Sequence, residues 1–195
     1  MHRLTPVPLL SALAISIALA ALAPPASAQT MLPQRLGPYA ELQFGGSVVS
    51  HSDLDFISPA IGGNVGVFLY PGIGLEAFGS GTLENGEDGR FEAGVTESYG
   101  AGLRFQSPGS SSFAGGLLHG YIVLGYVDFL LEQASLDEPE RRIEERFSGA
   151  RISIGVMQRF RRVPNLSLTA EYRNSYVDEP VQVDGLVLGL RLDVR

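Results

Sequence analysis

Eight runs along the 195-residue chain place apolar side chains at every second position, the period of a β-strand whose two faces meet different surroundings. The apolar faces are Ala40, Leu42 and Phe44; Ile61, Val65, Val67 and Leu69; Ile73, Leu75 and Ala77; Tyr99, Ala101, Leu103 and Phe105; Leu118, Ile122, Leu124 and Tyr126; Ala150, Ile152, Ile154 and Val156; Leu166, Leu168, Ala170 and Tyr172; and Leu186, Leu188, Leu190, Leu192 and Val194. Short turns rich in Pro, Gly, Ser or Asn are predicted at Tyr70-Pro71-Gly72, Ser107 to Ser112 and Arg161 to Asn165. Longer connections are predicted at Val49 to Ser58, Thr82 to Glu92, Leu130 to Ser148 and Val177 to Asp184. Strict alternation of long and short connections predicts an all-β chain, an eight-stranded antiparallel up-and-down transmembrane β-barrel with both termini on the periplasmic side.

The second face of each run decides between a membrane barrel and a soluble barrel with an apolar inside. It carries Gly62, Gly66, Gly74, Gly100, Gly102, Gly155, Gly185 and Gly189, mixed with Glu41, Gln43, Glu76, Arg104, Arg151, Glu171, Arg173 and Arg191. Glycine packs nothing on a solvated strand face, but it leaves room beside large charged side chains in the lumen of a narrow barrel. The apolar face then meets lipid, with Tyr39, Tyr70, Tyr99, Phe105, Tyr126, Phe160, Tyr172 and Tyr176 near strand ends as interfacial aromatics.

The first 28 residues agree with an exported chain. Met1-His2-Arg3 is a basic start, Val7 to Leu22 is apolar, and Ala26-Ser27-Ala28 is a small-residue cleavage site, the order of a secretory signal peptide. The predicted division is residues 1–28 as signal peptide and 29–195 as one outer-membrane barrel domain. The 167 remaining residues hold no cysteine, so neither a disulfide framework nor a thiolate metal site is available. They carry 21 acidic residues against 13 arginines and no lysine, a net charge of −8 that argues against nucleic acid as a partner.

On these residues the chain resembles the small eight-stranded outer-membrane barrel family that includes the OmpA transmembrane domain and the OmpX/Ail adhesins, over Leu36 to Arg195. Gly189-Leu190-Arg191-Leu192-Asp193-Val194 resembles the C-terminal assembly signal of such barrels, with Gly189, Leu192 and Val194 at the signal positions. That family usually ends in an aromatic residue, whereas this chain has aliphatics and then Arg195. The resemblance implies location in the bacterial outer membrane after cleavage near Ala28. It also implies contact with outer-membrane lipid and lipopolysaccharide, and handling by the outer-membrane assembly machinery.

The inward charges form the most structured candidate site, a lumen charge network of Glu41, Glu76, Arg104, Arg151, Glu171, Arg173 and Arg191. A turn near Arg90 sets Glu76 opposite Arg104, a turn near Val181 sets Glu171 opposite Arg191, and barrel closure brings Glu41 alongside. Guanidinium and carboxylate groups that satisfy one another there would plug the lumen; a narrow ion channel is the alternative use of the same residues. Some barrels that resemble this one modify lipids, but an enzyme needs a base oriented by partners. His119 lacks a serine at a suggestive spacing, and His51-Ser52-Asp53 is only a linear neighbourhood. No catalytic residue, cofactor or dedicated metal site is predicted.

The four long connections hold 15 acidic residues, from Asp53 to Asp184, against Arg90, Arg141, Arg142 and Arg146. They predict a solvated acidic surface that is a possible site for a surface ligand, with weak divalent-cation binding as a sharper alternative. Within the third, Ser135 and Glu138 resemble a capping box and Pro139 fits an early helical position. Ile143 and Phe147 would then share one face of a short helix and offer a contact point. The composite expectation is a structural or surface-interaction barrel with a charge-plugged lumen.

Overall fold

In the computed structural model, residues 37–51, 54–111, 116–176 and 181–194 are described. The expectations for the signal peptide and its cleavage site, for Ser52 and Asp53, and for Arg195 lie outside these residues. So do those for Ser112 and 177–180 and for the side chains of 138–140.

Ten strands follow one another: β1 (Gly37–His51), β2 (Leu54–Tyr70), β3 (Ile73–Thr82), β4 (Gly86–Asp88), β5 (Phe91–Gln106), β6 (Ser110–Ser111), β7 (Gly116–Ser135), β8 (Glu138–Phe160), β9 (Leu166–Tyr176) and β10 (Val181–Asp193). Eight of them form a ring in chain order, all antiparallel, while β4 and β6 are short additions on β5 and β7. The ring closes where β1 pairs β10, from Tyr39 opposite Asp193 to His51 opposite Val181. The fold is an eight-stranded transmembrane β-barrel, and each of the eight apolar faces read from the sequence points outward. Leu42, Phe44, Val65, Leu75, Leu103, Leu124, Ile152, Leu168, Leu188 and Leu190 are all exposed on that outer surface.

The short turns are built as their residues require. Gly72, at φ 81°, turns β2 into β3 in a backbone region that side-chain-bearing residues avoid. Gly109, at φ 91°, turns toward β6, and a Cβ there would meet the His119 ring at 2.5 Å.

The opposite end differs from expectation, because most of the long connections are strand. β1 and β2 stay paired to His51 opposite Leu54, and β7 and β8 stay paired up to Ser135 opposite Glu138. β7 spans 20 residues and β8 spans 23, well beyond the roughly 9–11 residues a tilted strand needs to cross a bilayer. The predicted helix after Ser135 is absent, since Leu136 and Asp137 form a tight turn between β7 and β8. Phe147 accordingly points into the barrel against Phe129, with ring centroids 5.8 Å apart, while Ile143 stays exposed. Many of the charges on these segments lie on the outer face and imitate a loop composition, while the inner face holds Val127, Phe129, Leu131 and Phe147.

Those inner residues make a cluster inside the barrel. Val49, Phe56, Phe78, Ala93, Val95, Val127, Phe129, Leu131 and Val181 are buried together, with Leu54, Phe147 and Val183 packed against them. A one-residue bulge at Thr96, where Val95 faces Leu131 and Glu97 faces Leu130, shifts the phase of β5 and turns Val95 and Ala93 inward.

The two faces of β10 make the inside-out arrangement testable. Leu188 is 66% exposed on the outer face and Val187 is 4% exposed on the inner one. Leu188→Arg should destabilise the barrel by about 2 to 4 kcal/mol, as a midplane arginine does on such a surface. Val187→Thr should cost far less, and urea unfolding in lipid vesicles measures both.

Candidate functional site

Below the apolar cluster, toward the short turns, the lumen is filled by charged and aromatic side chains with almost no exposure. At its base Arg104 donates from Nη1 to Glu76 Oε2 at 2.9 Å, with both side chains fully buried. Tyr39 Oη donates to the same Glu76 oxygen at 2.5 Å. The Arg104 guanidinium lies 3.6 Å from the centre of the Tyr121 ring, and Arg191 lies 3.6 Å from that of Tyr39. A planar cation held against a ring face combines charge stabilisation with dense packing.

The second centre is Glu171. Its Oε1 accepts from Arg151 Nη2 at 3.1 Å and from Arg173 Nε at 2.8 Å, and its Oε2 accepts from Tyr121 Oη at 3.0 Å. Tyr121 thereby ties the two centres together through its ring and its hydroxyl. Arg151 stacks 3.8 Å from the Phe78 ring centre, which places it between the charged layer and the apolar cluster.

Several expected pairings fall elsewhere. Arg104 faces Gly74 in the ladder and Glu76 faces Gly102, so that pair meets diagonally rather than directly. Glu171 faces Val187 and Arg191 faces Ser167, a separation of four residues along β10 that keeps Glu171 and Arg191 apart. Arg191 donates instead from Nε to Asp193 Oδ1 at 2.9 Å, and Arg159 Nη2 binds Asp193 Oδ2 at the same distance. Glu41 does face Arg191, but its Oε1 accepts from Gln43 Nε2 at 2.6 Å and Thr169 Oγ1 at 2.7 Å. The register differs because β9 and β10 pair from Tyr176 opposite Gln182, not about a turn near Val181.

Tyr39 is a correction of another kind. Read as a lipid-interface aromatic, it is buried in the lumen, because it lies in phase with Glu41 and Gln43. Glycines make the space for it and for Tyr121: a Cβ on Gly66 would sit 2.5 Å from the Tyr39 ring, and one on Gly155 2.4 Å from that of Tyr121. A Cβ on Gly189 would sit 2.2 Å from Thr169 Oγ1 and 2.5 Å from Glu41 Oε1, so this residue has a packing duty of its own. Leu192 and Val194 lie on the lipid-facing surface.

The histidines and the outer acids are placed as follows. His119 is buried and its Nδ1 meets the Ser107 carbonyl oxygen at 2.9 Å, while Ser107 Oγ accepts from the Gly120 amide. Outside the barrel, Arg146 binds Glu97 at 2.9 Å and Asp128 at 3.6 Å, Arg142 binds Glu132, and Arg90 lies 3.7 Å from Asp137. Asp184, read as a solvated loop acid, is buried and accepts from Tyr172, Asn174 and Gln182. Among the described residues no three histidine or acidic side chains converge as a metal site requires.

No protein-family model and no curated protein matches the sequence. Solved structures do match. Neisserial surface protein A aligns with a TM-score of 0.60 at 17% identity, over 81% of this chain and 97% of that one. The N-terminal β-barrel domain of Pseudomonas aeruginosa OprF aligns with a TM-score of 0.53 at 16% identity, over 81% and 100%. Ail, the attachment invasion locus protein of Yersinia pestis, aligns with a TM-score of 0.52 at 16% identity, over 80% and 99%. The chain therefore has the fold of the small outer-membrane barrels, over nearly the whole length of each.

The Glu76–Arg104 pair is the part of the interior most open to measurement, because removing one partner leaves the other charge buried without compensation. Glu76→Gln and Arg104→Gln should each destabilise the refolded barrel by about 3 kcal/mol, and the double change should cost less than their sum by about 1 kcal/mol or more. Unfolding midpoints of the four proteins in one detergent give the coupling directly.

Proposed function

We propose that this protein is a closed barrel of the bacterial outer membrane whose role is structural or lies in surface interaction, without catalytic activity. The observation that carries this reading is the filled interior. Ion pairs and stacked arginines occupy the lumen toward the short turns, and the apolar cluster around Phe56, Phe78 and Phe129 occupies it toward the long hairpins. A solute path would have to cross both layers, which argues against a narrow channel. His119 is committed to a backbone carbonyl, which offers no oriented acid–base pair for a lipid-modifying enzyme.

In this reading residues 1–28 are removed as a signal peptide, and the assembly machinery reads Gly189, Leu192 and Val194 at the C-terminal strand. The lipid-facing girdle meets lipopolysaccharide and phospholipid, and the β1–β2 and β7–β8 hairpins stand on the cell exterior as a stiff platform for a surface ligand. Ail has been crystallised with the heparin analogue sucrose octasulfate. The acidic excess on the outer segments of the present chain disfavours a polyanion of that kind and favours a neutral or cationic partner surface.

An epitope inserted between Leu136 and Asp137 should be labelled on intact cells, and one inserted near Ser110 only after the outer membrane is permeabilised. Equal labelling of the two on sealed cells would reverse or abolish this topology. The purified barrel should migrate differently in electrophoresis with and without boiling, and in a planar bilayer it should sustain no porin-like current. A steady large conductance would replace the closed-barrel reading with a channel.

A further inference from the structure

Two arginines share one carboxylate at Glu171, and this imbalance lies beside a cavity. Arg151 and Arg173 both bind Glu171 Oε1, while Glu76, the other ion-paired acid of that region, is taken by Arg104. At this carboxylate two guanidinium groups therefore meet one negative charge, while Glu41, another buried carboxylate of the layer, is held by Gln43 and Thr169. Arg173 is 9% exposed, and its Nη2 has no hydrogen-bond partner among the described residues. The cavity has a volume of about 50 Å³ and lies between the charged layer and the apolar cluster. Its lining includes Arg151 and Arg173 together with Ser80, Ser98 and Ser175, and it is bounded on the other side by Val95 and Phe129.

We propose that this cavity binds a small inorganic monovalent anion of the size of chloride, held by Arg173 Nη2 and the serine hydroxyls with Arg151 as the second positive charge. A guanidinium that shares its counter-charge away from water is unfavourable, and a monovalent anion offsets that local excess. Hydroxyl and guanidinium hydrogens are the donors a halide requires, and the apolar boundary lowers the local dielectric and so strengthens the attraction. Asp184 is the one acidic residue among those that border the cavity, and its carboxylate is bound elsewhere. It is engaged by Tyr172, Asn174 and Gln182 and so does not compete for the two arginines. The space exceeds the ~10–15 Å³ that a single water needs by the same measure, which leaves room for a halide with water beside it. The inference is independent of the surface role proposed above, since a barrel with any outer ligand would have the same interior.

Two measurements test it. Crystals of the full mature barrel grown in sodium bromide should give an anomalous peak within hydrogen-bonding reach of Arg173 Nη2. Unfolding of the same protein should occur at a higher midpoint in sodium chloride or bromide than in sodium gluconate at equal ionic strength. Arg173→Gln should weaken the apparent bromide affinity by about tenfold or more, the effect of one lost charge-assisted hydrogen bond, and should remove most of the halide-specific shift. Ser175→Ala, a milder change, should reduce the shift without abolishing it. Bromide found only on the outer surface of the wild type, or equal midpoints in halide and gluconate, would overturn the proposal. An undiminished halide shift in a folded Arg173→Gln protein would overturn it as well.

Discussion

Closure of the sheet at the β1–β10 seam is the constraint from which the rest of the molecule follows. No water is available inside a bilayer to satisfy a free strand edge, so every backbone amide and carbonyl there must find a neighbour, and a ring of strands is the sheet solution. The seam supplies it by pairing Tyr39 with Asp193 at one end and His51 with Val181 at the other. Eight strands close into a cylinder only just wide enough for side chains to fill. Alternation then sends half of all side chains into that narrow space. Aliphatics on the lipid side need no partners, but each inward residue must be packed, paired or reduced to glycine.

The interior answers this demand in two tiers with different physics. In the lower tier, polar groups are satisfied by one another: Glu76 takes Arg104 and Tyr39, and Glu171 takes Arg151, Arg173 and Tyr121. Arginine suits the task because its flat face stacks on a ring while its edge donates, as Arg104 does on Tyr121 and Arg191 on Tyr39. Glycine on a neighbouring strand gives each ring its room, Gly66 for Tyr39 and Gly155 for Tyr121. In the upper tier, burial of Phe56, Phe129, Leu131 and their neighbours excludes water by simple apolar packing. Polar order below and apolar packing above thus fill the interior with different physics.

The upper tier also explains the form of the outer hairpins. A strand pair that rises above a membrane is weakly held unless one face is buried. Phe147 against Phe129, with Val95 and Ala93 turned inward by the bulge at Thr96, supplies that buried face for β5, β7 and β8. Outside, Arg146 and Arg142 offset part of the acidic charge along the same strands. The acidic surface is thus mounted on paired strands instead of free loops, which restricts where its charges can move.

By itself, the amino-acid order determined the number of barrel strands, their antiparallel order and which face of each meets lipid. Period-two alternation is a local property, and one face is apolar throughout, as in Leu186, Leu188, Leu190 and Leu192. The inward position of Glu41, Glu76, Arg104, Arg151, Glu171, Arg173 and Arg191 was legible for the same reason. Their partners were not, because a pairing depends on register, and register is set by where each turn closes. A shift of four residues along β10 gives Arg191 to Asp193 and leaves Glu171 to Arg151 and Arg173. Strand length beyond the membrane was hidden as well, since charges on the outer face of β7 and β8 look like loop composition when the inner face is unknown. Only the closed tertiary structure decided these points. Whether an inward Phe129, Tyr39 or Arg173 finds an apolar wall, a carboxylate or a cavity depends on strands distant in sequence that meet it across the lumen.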